Sequence, residues 1–101
     1  MALLFLLTVV LAPIAEEIIF RGFIYSGLRG TFTQGWAAMM SAFAFTGAHL
    51  PTPGVAAVAV MVLGLGLALL YDHTRSLIPC IIVHALHNTL VFLLMLAVMA
   101  L

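Results

Sequence analysis

From Met1 to Ala15 the chain reads MALLFLLTVVLAPIA, without one charged side chain, and similarly apolar runs follow at 33–49, 54–71 and 77–100. Hydrocarbon offers no partner to an open backbone amide, so only helices and closed barrels span a bilayer. Barrel strands alternate apolar and polar residues, whereas these runs are continuously apolar, which selects helices. Composition agrees: 66% of the 101 residues are hydrophobic and 6% are charged, with a mean hydropathy of +1.36. A soluble domain carries roughly 25% charged residues. The reading is all-α, a polytopic membrane bundle of about four transmembrane helices, with residues 1–101 forming one unit.

Net charge is zero and no basic patch exists, which removes nucleic acid from the partners. Cys80 is the only cysteine, so neither an internal disulfide nor a cysteine-built zinc site is available. A secretory signal opens on positive charge, and no Lys or Arg precedes Arg21, so the first run is read as a span.

The expected spans are 2–28, a shorter 33–49, 54–71 and 77–100. Leu50-Pro51-Thr52-Pro53-Gly54 closes the second, because proline and the residue before it both leave helical geometry. In the third, Gly64 and Ala68 offer a small face for close helix packing. The connections Leu28–Thr31 and Asp72–Ser76 should share one side of the membrane, cytoplasmic by their arginines. Pro13 is expected to kink the first span and free carbonyls for neighbours or water.

Ionisable groups inside a span are expensive, and each is a functional-site hypothesis. Glu16, Glu17 and Arg21 lie in the first span, His49 ends the second, and His84, His87 and Asn88 lie in the fourth. The third has none, which predicts a polar centre walled by the other three. Glu17 and Arg21 are four residues apart, the better orientation for an ion pair on one helix face, and read as a structural bridge. Adjacent residues point about 100° apart, so Glu16 stands off that face without a local partner and is the candidate general base. His84 and Asn88 share a face, and Phe45 lies one turn before His49, where its ring can brace the imidazole. His73, in the connection beside Asp72, reads as a bystander, and Ser26 and Ser41 as packing residues.

Glu16-Glu17-x-x-x-Arg21, Phe45-x-x-x-His49 and His84-x-x-x-Asn88 resemble the three ordered motifs of the CPBP intramembrane proteases. This is the CAAX protease and bacteriocin-processing (Abi) family that includes the Rce1 prenyl endopeptidase. Each motif alone is weak; three in order, each on its own apolar run, are specific. The resemblance implies a cavity among helices in which Glu16 and His49 activate water and His84 and Asn88 hold the oxyanion. It gives Glu17, Arg21 and Phe45 supporting parts. The family is often classed as metalloprotease, and Glu16, His49 and His84 would be the ligands of a Zn2+ ion. No HExxH motif is present, so the preferred expectation is a glutamate-dependent mechanism with no cofactor, zinc being the alternative.

Family members generally carry more spans than these runs supply. The chain is therefore expected to be a minimal form or a core fragment, sealing its cavity by homo-oligomerisation or by further flanking helices. The implied substrate is a peptide or lipidated protein at the membrane lipid: a prenylated CaaX terminus or a bacterial peptide such as a bacteriocin leader. The composition suits a bacterial cytoplasmic membrane. Two other classes compete. A proton-relay transporter would show broken helices or repeated halves, and no repeat is visible. A catalytically silent interaction or immunity module would lack a motif residue, and none is lacking.

Overall fold

The computed structural model covers residues 1–101 and contains helices and connections only. Four rods follow in order: α1 (Ala2–Arg29), α2 (Gln34–Ala48), α3 (Gly54–Thr74) and α4 (Leu77–Met99). Three of them, α1, α3 and α4, are long and apolar enough to cross a membrane. The second is not: its 15 residues reach about 22 Å, against a hydrocarbon core of about 30 Å. The expectation of about four spans is close: three helices of spanning length and one shorter rod. Its limits are chemical, Thr33 entering with extended backbone and Pro51 and Pro53 barring continuation beyond His49.

α1 runs through Pro13 without interruption, because wide π-type turns occupy Leu6–Leu11 just before it and recur over Ile18–Tyr25. α3 extends to Thr74, so Asp72 and His73 belong to its last turn rather than to a loop, and Arg75 closes it in the left-handed conformation (φ 55°). Ser76 caps α4 by accepting from the Ile78 N–H at 3.2 Å.

The tightest seam joins α2 to α3. Ala37, Ala38 and Ala42 of α2 are fully buried, as are Gly64 and Ala68 of α3, so two backbones approach over small residues. Ala37, Ala38 and Ala68 gather with Tyr25 into a small core. At one end Asp72 ties the loops together. It accepts from Tyr25 Oη and Arg29 Nε, both at 2.8 Å, with Arg75 3.9 Å away. The α1–α2 and α3–α4 connections therefore lie at the same end. At the other end Phe5 and Phe92 meet edge to face at 5.5 Å and hold α1 against α4.

Only 16 of 101 residues are buried, and among the largest of these are Arg21, His84 and Glu17, while most leucines and valines face outward. Polar inside and apolar outside is the arrangement of a chain solvated by lipid.

Candidate active site

Glu17 and Arg21 occupy one face of α1, turned inward and fully buried. Arg21 donates from one terminal nitrogen to Glu17 Oε2 at 3.1 Å and from the other to the Gly64 carbonyl of α3 at 2.7 Å. Its guanidinium carbon lies 4.6 Å from the centre of the Phe45 ring, a cation–π contact. Glu17 Oε2 also receives His84 Nδ1 of α4, 2.7 Å away. One carboxylate oxygen thus joins α1 to α4 while its arginine joins α1 to α2 and α3.

Glu16 lies on the neighbouring, half-open face, its side chain 28% exposed. Its Oε1 atom lies 3.4 Å from His49 Nε2 and 3.5 Å from His84 Nε2. The two adjacent acids were expected to serve separate faces, and in burial they do. Both nevertheless reach His84, one at each ring nitrogen, because His84 projects between the two faces.

Partner chemistry fixes the ring protons. His49 Nδ1 lies 2.6 Å from the Phe45 carbonyl, which only accepts, so that nitrogen carries a proton, and Nε2 faces Glu16. His84 Nδ1 donates to Glu17, leaving its Nε2 a donor only when the ring is doubly protonated. Phe45 braces both rings, 4.5 Å from His49 and 5.6 Å from His84 between ring centres. Thr52, past the end of α2, donates its hydroxyl to the His49 carbonyl and pins the turn.

Asn88, one turn beyond His84, donates from Nδ2 to the Thr8 carbonyl of α1 at 2.9 Å. Glu16, His49 and Asn88 line one cavity of about 380 Å³ with Thr8. Its remaining wall is apolar, made by Leu7, Ala12 and Val91. His84 is 1% exposed and backs Glu16 from the protein side. His87 approaches only Asn88 Oδ1, at 3.4 Å, and exposed His73 stands apart.

For zinc, Glu16, His49 and His84 would be the ligands. No three His, Cys, Asp or Glu side chains are placed to hold a metal ion. No step is derived through a metal ion.

Three contributors escaped the residue-type reading: the Gly64 and Thr8 carbonyls and the Thr52 hydroxyl. Two are backbone atoms with no signature in residue type; Pro13, flagged as a source of freed carbonyls, was the one available signal for Thr8.

Fold and cluster together define an integral membrane protein with ionisable groups gathered among its helices. Over residues 1–90 the sequence matches the Rce1-like family of type II CAAX prenyl endopeptidases, and the chain belongs to that family. No curated protein and no solved structure matches it.

Proposed function

We propose that the chain is an intramembrane endopeptidase in which Glu16 and His49 activate water and His84 and Asn88 receive the oxyanion. The observation that carries this reading is Glu16 Oε1 set between two imidazole Nε2 atoms at the wall of the cavity that Asn88 also lines. Water beside Glu16 gives its proton to the carboxylate while the lone pair of His49 Nε2 orients it. The hydroxide attacks the scissile carbonyl carbon, and the resulting oxyanion accepts from Asn88 Nδ2 and from Nε2 of doubly protonated His84. Glu16 then returns the proton to the leaving amine. The Glu17–Arg21 pair holds His84, and Phe45 holds both rings.

The substrate is a membrane-associated peptide, either a prenylated CaaX-type terminus, as the family's activity suggests, or a bacterial peptide such as a bacteriocin leader. The apolar wall of Leu7, Ala12 and Val91 suits a peptide entering from lipid. The arginine-bearing end faces the cytoplasm of a bacterial membrane in this reading.

An internally quenched farnesylated peptide and its unfarnesylated form, offered to the chain in liposomes, test it. Glu16→Ala and His49→Ala should lower cleavage by at least about 100-fold, and His73→Ala should leave it unchanged. A chelator should have no effect; loss of activity that added Zn2+ restores would overturn the metal-free mechanism. Normal cleavage by Glu16→Ala would overturn the assignment of the base.

A further inference from the structure

In a regular α-helix the Thr8 carbonyl accepts from the amide of residue 12, and in a π-type turn from that of residue 13. Neither donor serves it here. The Ala12 N–H is committed to Leu7, five residues back, in the π register of Leu6–Leu11. Residue 13 is proline and has no N–H. Thr8 is therefore left with an unclaimed carbonyl inside a helix, and a carbonyl set among lipid-solvated helices needs a partner. It finds Asn88 Nδ2 at 2.9 Å, across the gap between α1 and α4.

We infer that Pro13 is a positioning residue for the proposed peptidase reaction: by withholding one backbone proton it frees the Thr8 carbonyl, which aims the Asn88 amide into the cavity. The inference rests on the peptidase reading for its effect on rate, and on geometry alone for its effect on Asn88. A carboxamide has two Nδ2 protons. The Thr8 carbonyl takes one and fixes the amide plane, leaving the other for an oxyanion in the cavity that Thr8, Glu16, His49 and Asn88 line together. Pro13 itself is fully buried and has no part among the reacting atoms of the mechanism above.

Pro13→Ala supplies the missing proton. If the helix keeps its π register, the new amide takes the Thr8 carbonyl; if it relaxes to α geometry, the Ala12 amide does. Either way Asn88 meets a competitor. Because alanine favours a helix interior and proline opposes it, the same change should not lower thermal stability. A proline that served only the fold would give a joint loss of stability and rate, so the two roles separate.

Asn88 is the only asparagine in the chain, so labelling with 15N-asparagine gives a single side-chain amide signal. In detergent micelles the wild-type signal should show two well-separated protons, one slow to exchange with water. In Pro13→Ala the pair should converge and exchange freely. With the farnesylated peptide, kcat should fall about tenfold, a partial loss of one oxyanion donor, with KM within about twofold and the melting temperature unchanged or higher. In an Asn88→Ala background Pro13→Ala should have no further effect on kcat, since the group it acts through is gone. An unaltered amide signal, or an equal fall in kcat with and without Asn88, overturns the inference. A wild type that cleaves nothing while the amide signal responds as described overturns the peptidase reading and supports the hold on Asn88.

Discussion

Glu16 and Glu17 are chemically identical neighbours with opposite surroundings. Glu17 is fully buried and shares one oxygen between Arg21 and His84, whereas Glu16 opens on the cavity and has no arginine beside it, only the two imidazoles. Removing Glu17 strands Arg21, and an uncompensated buried charge typically costs about 3–5 kcal/mol. Glu17→Ala should therefore lower the denaturation midpoint in detergent sharply. Glu16→Ala should leave it close to wild type while abolishing cleavage. Equal midpoints for both variants would contradict this division of labour. The sequence disclosed the division because a four-residue spacing pairs Glu17 with Arg21 and a one-residue spacing cannot. It did not disclose that both acids reach one imidazole. That depends on how deeply His84 of α4 enters between two faces of α1, a property of packing that no single-helix argument contains.

Among the helices, α3 is the informative one, since it carries no motif residue and yet supplies the Gly64 carbonyl to Arg21. A Cβ on Gly64 would lie 3.0 Å from Phe45 Cδ2 and 3.4 Å from the Cα of Ala42, whereas one on Gly66 would meet nothing within 4 Å. The two glycines make a matched pair on one helix. Gly64→Ala should destabilise by about 1–3 kcal/mol through overpacking. Gly66→Ala should be neutral or stabilising by up to about 1 kcal/mol, through helix propensity alone. Equilibrium unfolding in mixed micelles measures both, and equal effects would remove the argument from close approach. The small-residue face of α3 was legible from Gly64 and Ala68, so the seam could be expected. Its consequence for Arg21 could not, because a main-chain oxygen is present at every position of every sequence. The length of α2 was half legible: prolines marked its end, and only the distance left uncrossed turns a short span into a partial one.

For the molecule as a whole, Asp72 fixes which connections share an end, joining Tyr25 and Arg29 of α1 to Arg75 past α3. The α2–α3 connection lies toward the other end of the bundle. Cysteines introduced as Thr31→Cys and Leu50→Cys should therefore react with a membrane-impermeant maleimide from opposite faces of a sealed vesicle. Native Cys80, fully buried, should stay unmodified in both. Labelling of both positions from one face would overturn the topology. The shortness of α2 has its own consequence for the surrounding lipid. A rod that gives out about 8 Å before the far boundary leaves its neighbours standing taller than itself, and acyl chains cannot comfortably end against the polar turn around His49. Headgroups and their hydration must sag into that hollow, a local thinning of the bilayer centred on the imidazole. The reactant that hydrolysis consumes would then arrive down this dimple, from the face opposite the arginines.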